Sequence, residues 1–200
     1  SPDQINFLYA QENLRHLYLN HNQLKDIAPL RSMKYLKVLN LGFNNLEKLD
    51  ASVMGALKNL EELTLECNNL TDFSPVSGLT KLRYINADGN KIQTLNGLHG
   101  LPALEELKLF KGNIQDIGPL TGMTNLKKLR IMYNEIISIE TFRAQSTSGE
   151  RLFSRLEDLN LEGNKIEDIT PIIGLPKLKR VWLEVNRIKT LPDLAAGVDG

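Results

Sequence analysis

The chain is poor in the residues that usually announce chemistry: one cysteine, three histidines and one tryptophan in 200 residues. With Cys67 alone, no intramolecular disulfide can form, which slightly favours the cytosol over a bacterial surface or secreted location. His16 and His21 lie close together while His99 is far away, so no metal-ligand spacing appears and neither a metal nor another cofactor is expected. The 24 Lys+Arg cancel the 24 Asp+Glu, which argues against general affinity for nucleic acid or an anionic membrane surface. No apolar run approaches the roughly 18 residues a membrane span requires, and no charged-then-apolar leader opens the chain, so neither membrane insertion nor a signal peptide is expected.

What the chain does have is one phrase, leucine-x-x-leucine-x-leucine-x-x-asparagine-x-leucine. It begins at Leu14, Leu36, Leu60, Leu82, Leu104, Leu126, Leu156 and Leu178, with successive spacings of 22, 24, 22, 22, 22, 30 and 22. A fixed period of this length specifies a solenoid of units that bury a continuous core by stacking. The whole of 1–200 is therefore expected to be one stacked domain. Ile5 and Leu8 stand at the offsets before Leu14 that Ile27 and Leu30 occupy before Leu36. Residues 1–13 are accordingly expected to be part of an earlier repeat, and the chain a fragment or processed form of something longer.

Within a unit the fourth and sixth positions are apolar, as in Leu39 and Leu41, Leu63 and Leu65, or Leu129 and Ile131. That alternation predicts a short strand with one face buried. Asparagine holds the ninth position at Asn22, Asn44, Asn68, Asn90, Asn134, Asn164 and Asn186, where the chain must leave the strand; a buried carboxamide there can satisfy turn backbone groups, rung after rung. The second half of each unit carries apolar anchors at helical or 3-10 spacing, for example Ile117, Leu120, Met123 and Leu126. Pro29, Pro75, Pro119 and Pro171 suit the first turn of a short helix.

These residues resemble the leucine-rich repeat family, in its short 22-residue class, over nearly the whole chain. The linkers DIAPL, DFSPV, DIGPL and DITPI resemble those of the bacterial internalins, while the nuclear regulatory subunit of protein phosphatase 1 shares the period with a different linker. The resemblance implies an α/β solenoid, a horseshoe with a concave parallel β-sheet and short helices, 3-10 turns or loops on the convex side. It also implies a protein-binding role rather than catalysis.

Three departures interrupt the pattern. Ala87 replaces the sixth-position leucine of the fourth unit, which predicts a thinner core layer. Gly112 replaces the ninth-position asparagine of the fifth, which predicts a break in the ladder. The sixth unit is longer by eight residues over Glu140 to Arg155, expected to form a convex loop with an exposed Ser-Thr-Ser-Gly tip and Phe142 and Phe153 tucked back. Such insertions are readily tolerated on a surface.

With the fourth and sixth positions inward, the third, fifth and seventh face out from the concave sheet. The fifth column reads Tyr18, Asn40, Thr64, Asn86, Lys108, Arg130, Asn160, Trp182, and the seventh reads Asn20, Gly42, Glu66, Asp88, Phe110, Met132, Glu162, Glu184. Phe110 and Met132, with Tyr133 beside them, and Trp182 further along, are apolar groups on a face that should be wet. Isolated exposed apolar groups are ordinary, but adjacent aromatic and methionine side chains are also what interface centres favour. Charge is banded: Glu66 and Asp88 early, Lys108 and Arg130 in the middle, Glu162 and Glu184 late. Such banding suits a folded protein with complementary patches.

No catalytic residues are expected. The pairs Glu66 with Asp88 and Glu162 with Glu184 fall on successive rungs because every rung repeats the same outward slot, and Cys67 has acidic neighbours that raise rather than lower a thiol pKa. The expected function is a non-enzymatic domain, acting as a monomer, that binds a partner protein through its concave face. The anchors are Phe110, Met132, Tyr133 and Trp182, and the register is set by Lys108, Arg130, Glu66, Asp88, Glu162 and Glu184. The alternatives are a targeting or regulatory module of a larger enzyme, for example in phosphatase regulation, and a purely architectural spacer.

Overall fold

The computed structural model describes residues 13–192. The partial repeat expected around Ile5 and Leu8 lies outside the described residues. Eight three-residue strands form one parallel sheet in sequence order: β1 His16–Tyr18, β2 Val38–Asn40, β3 Glu62–Thr64, β4 Tyr84–Asn86, β5 Glu106–Lys108, β6 Lys128–Arg130, β7 Asp158–Asn160 and β8 Arg180–Trp182. Every pairing holds the repeat in register, for example Lys108 opposite Arg130 and Leu107 opposite Leu129. The sheet is open, so rungs stack at about 4.8 Å without closing.

The fourth- and sixth-position side chains of β2 through β7 are buried, and the linker residues Ile27, Leu30, Phe73, Val76, Ile117, Leu120 and Met123 close the core from the opposite side. At the ends the stacking fails in part. Leu17 and Leu19 are only partly buried, and Val181, expected inside, is 37% exposed. β8 has a described neighbour on one side only, so its inward slot is covered from one side only.

The asparagines form a ladder with a repeating bond set. Asn68 Nδ2 donates to its own rung's Leu65 carbonyl and to Leu41 of the rung before, while its Oδ1 accepts from the Leu46 amide. Asn44, Asn90 and Asn164 repeat this arrangement. Gly112 breaks it as expected, leaving the amide of Ile92 without the carboxamide that Leu70 and Ile114 receive. The break and the small Ala87 coincide in space: Ala87, Asn90, Ile92, Leu109, Phe110, Gly112 and Ile114 line one crevice too narrow for a water molecule. The chain has closed over the missing side chain, since a Cβ at Gly112 would sit 2.7 Å from Asn134 Oδ1 and 2.8 Å from the Ile92 carbonyl.

On the convex side the prolines open 3-10 turns at Ala28–Ser32, Ser74–Val76, Gly118–Gly122 and Thr170–Ile172. The 24-residue unit instead forms α1, Ala51–Ala56, whose N-terminus is capped by Asp50 accepting from the Ser52 and Val53 amides. The long sixth unit folds as a flap. Phe142 and Phe153 meet edge to face at 5.0 Å, both buried; Gln145 bridges Arg151 across the loop, and Thr147, Ser148 and Gly149 stand exposed at its tip.

Candidate binding surface on the sheet

The outward columns are ordered by backbone demands before any partner is considered. In three rungs a fifth-position asparagine turns back to accept from the seventh-position amide: Asn40 from Gly42, Asn86 from Asp88, and Asn160 from Glu162. Lys108 cannot do this, and Asp88 of the preceding rung accepts from the Phe110 amide instead, at 2.7 Å. The Phe110 carbonyl accepts from Gly89 on the same rung as Asp88, so the backbone beneath the ring is pinned twice.

The half-buried Phe110 ring meets Tyr133 edge to face, with centroids 5.5 Å apart and planes at 77°. Such pairs contribute about 0.5–1.5 kcal/mol beyond area burial. Tyr133 is exposed and left-handed at φ 51°, its hydroxyl donating to Glu162 Oε1 at 2.6 Å. A Cβ at Gly163, itself at φ 68°, would lie 2.7 Å from the tyrosine ring, so glycine makes room for it on the next rung. Met132, half-buried, lies between the two in sequence and shares the seventh column with Phe110. These three expected anchors are brought together. Trp182 is not: it is partly buried on β8, with the Arg180 guanidinium 5.9 Å from its ring centre, and Arg180 forks onto the buried Asp158 at 2.6 and 2.5 Å.

The charged residues divide between internal and outward use. Glu66 accepts from the Asn86 amide group, Asp88 from Phe110, and Glu162 from Tyr133; Glu184 has no such side-chain bond among the described residues. Lys108 lies 3.1 Å from the Tyr84 hydroxyl and 3.4 Å from Glu106. Burial opposes its charge, but those two partners outweigh it and hold its pKa above the ordinary value. Arg130 and Lys111 make no ion pair among the described residues, and the Lys111 ammonium stands 5.5 Å over the Phe110 ring. The Tyr133 pKa is raised by its bond to Glu162. Cys67 is exposed and its thiol pKa is pushed up, first by burial of the sulfur's surroundings and then by Glu66 and Asp88, which makes it a poor nucleophile.

Asp88 is the one acid of this face whose pKa is pushed up, because desolvation outweighs the Phe110 amide and the nearby Lys108 and Arg130. An acid whose folded pKa exceeds its unfolded value of about 3.8 costs stability while ionised, and that cost disappears as pH falls below the unfolded value. Asp88→Asn keeps an oxygen for the Phe110 amide. It is expected to raise the urea midpoint at pH 7, with the advantage shrinking as pH falls and vanishing below about 3.8; an advantage independent of pH contradicts this assignment.

One exposed row escapes a reading based on strand alternation. The eighth position, just past the sheet, is left-handed on every rung, at His21, Phe43, Cys67, Gly89, Lys111, Tyr133, Gly163 and Val185. Six of these are not glycine, and a bulky residue there carries strain of about 1 kcal/mol or more. His21 and Phe43 stack at 4.2 Å and 11°. The signal was present at a constant offset of seven from each unit's first leucine. At the opposite edge Glu61, Glu62, Arg83, Tyr84, Glu105 and Glu106 line an open depression of about 220 Å³. Glu61 is held by Lys37, and Glu105 by Arg83 and Lys127. Among the described residues no group of three potential metal ligands converges, and no helix is long and apolar enough to cross a membrane.

An open parallel sheet of repeating rungs, closed behind by 3-10 turns and one short helix and threaded by an asparagine ladder, defines a leucine-rich solenoid. The chain belongs to the leucine-rich repeat family: the family model "Leucine rich repeat" matches residues 34–92, and "Leucine Rich repeats (2 copies)" matches 12–53 and 154–196. Internalin C2 of Listeria monocytogenes is similar at 28% identity and TM-score 0.80, covering 88% of this chain and 74% of that one. A TLR13–ssRNA13 complex gives 27% identity and TM-score 0.76 over 90% of this chain and 26% of the other. A leucine-rich repeat protein of Leptospira interrogans shares the fold at 23% identity and TM-score 0.70, over 94% of this chain and 53% of its own. The chain thus spans less than two thirds of the latter two. No curated protein sequence matches. Family and fold make the chain a protein-interaction repeat module, of a kind that is typically non-enzymatic.

Proposed function

We propose that the chain is a non-enzymatic module that, as a monomer, holds one partner protein against its concave sheet. Phe110, Met132 and Tyr133 form the centre of the contact, Trp182 is a second, separate anchor, and Lys108, Arg130, Glu66, Asp88, Glu162 and Glu184 set the register. The observation that carries this is the edge-to-face Phe110–Tyr133 pair, with Met132 beside it, between acidic rungs on either side. A small aromatic centre ringed by polar groups is where binding energy concentrates in protein interfaces. The contacts of Glu66, Asp88 and Glu162 with their own chain fix the surface before a partner arrives, which lowers the ordering cost of association.

The test is affinity purification with the tagged chain, identification of co-purifying proteins by mass spectrometry, and titration of the recovered partner. Phe110→Ala/Met132→Ala is expected to weaken binding about 30-fold or more, in line with losses at aromatic interface centres, with an unchanged circular dichroism spectrum. Unchanged affinity in that variant removes the assignment.

A further inference from the structure

The seventh column reads Glu66, Asp88, Phe110, Met132, Glu162, Glu184 from β3 to β8, an apolar window two rungs wide with two acids on either side. At about 4.8 Å per rung, the window opens roughly 10 Å along the solenoid. Beside it lie Lys108 and Arg130, opposite one another on β5 and β6. Like charges directly across a strand pair repel, and the structure relieves only one of them. Lys108 turns to Tyr84 and Glu106, whereas Arg130, exposed, has no carboxylate within ion-pair distance among the described residues. Lys111, exposed at the rim, is likewise without one and lies over the Phe110 ring. The nearby acids are engaged elsewhere: Asp88 with the Phe110 amide, Glu162 with Tyr133, Asp158 with Arg180, and Glu106 with Lys108 and Lys128.

The window therefore joins an aromatic surface to two cations that form no ion pair among the described residues. We infer that it selects a protein segment in which an aspartate or glutamate stands beside a large apolar side chain, the carboxylate meeting Arg130 and Lys111 and the apolar group packing on Phe110, Met132 and Tyr133. This rests on the concave-face reading above and adds the chemistry of the bound segment. A carboxylate suits the window better than a polyanion. A nucleic-acid backbone following the groove would meet Glu66 and Asp88 on one side and Glu162 and Glu184 on the other within two rungs of the window's edges, and like-charge juxtaposition is costly. A single side-chain carboxylate confined to the window avoids all four.

The probe is a phage-displayed library of random 12-residue peptides selected on the immobilised chain, with the selected peptides then synthesised and titrated. Peptides carrying Asp or Glu next to Phe, Tyr, Trp, Leu or Met are expected, with binding that weakens as salt rises. Arg130→Glu/Lys111→Glu, at two exposed positions, is expected to weaken those peptides tenfold or more and to shift a repeat selection towards Lys or Arg at the same place. An unchanged thermal midpoint confirms that the variant is folded. A consensus without an acidic residue, a consensus unmoved by charge reversal, or no consensus overturns the inference. So does tighter binding of a 20-nucleotide oligouridylate than of any selected peptide. Peptides lost in Phe110→Ala/Met132→Ala but indifferent to charge reversal leave the concave-face reading standing and remove only this one; peptides indifferent to both variants remove both.

Discussion

Asn68→Ala is expected to lower unfolding stability by about 3 kcal/mol, because the change strips four hydrogen bonds, three of them buried, and leaves one donor with nothing to replace its acceptor. The losses are unequal. The Leu41 carbonyl still receives Asn44 Nδ2 from its own rung, and the Leu65 carbonyl still receives Asn90 Nδ2 from the next. The Leu46 amide has only Asn68 Oδ1 and becomes an unpaired buried donor. Asn22 provides the contrast. It is exposed, and among the described residues its amide group reaches only the Leu19 and Asn20 carbonyls, so Asn22→Ala is expected to cost less than about 1 kcal/mol. Urea titrations of the two variants at unchanged m-value measure the difference. Equal costs at the two positions contradict the view that burial, rather than the asparagine turn itself, gives the ladder its weight.

That gradient also marks how far the fold can be read from the residues. The eight leucine starts locate all eight strands, because a side chain that must point inward on every rung leaves a period no other architecture shares. The prolines locate four of the 3-10 turns, whereas α1, capped by Asp50 in the second half of the 24-residue unit, has no proline to mark it. The face was legible as a set of columns, with Phe110 and Met132 as its apolar members. What escaped were contacts between columns. Phe110 at the seventh position touches Tyr133 at the eighth, one rung on, and Asp88 serves the Phe110 amide only because Lys108 stands where an asparagine serves other rungs. The acids read as outward-facing register groups are largely bound to their own chain, a fact set by side-chain reach rather than by position. The left-handed eighth column escaped for a different reason: it lies beyond the strand, where alternation no longer says which way a side chain points.

The sixth unit places opposite demands on adjacent parts of one insertion. Its length is tolerated because loop-closure cost grows only slowly with added residues, yet the insertion is not loose throughout. Phe142, on the 3-10 turn Glu140–Arg143, and Phe153, in the turn that follows the Gln145–Arg151 bridge, are both buried and touch each other, joining the insertion to the same core that Leu156 enters next. The returning Arg151 also donates to the Ile173 carbonyl of the following unit, at 3.2 Å. Phe153→Ala is therefore expected to cost about 4 kcal/mol, the transfer loss of a buried phenyl ring plus the cavity left behind. Phe142→Ala/Phe153→Ala should cost less than the sum of the single changes, since the contact between the rings is lost only once. Replacing 146–149 with a shorter turn should change stability by no more than about 1 kcal/mol, because Thr147, Ser148 and Gly149 are exposed and the tip's hydrogen bonds are local. Chemical denaturation of the three variants separates the two parts. If shortening the tip costs as much as removing Phe153, then the tip, rather than the paired rings, holds the flap to the solenoid.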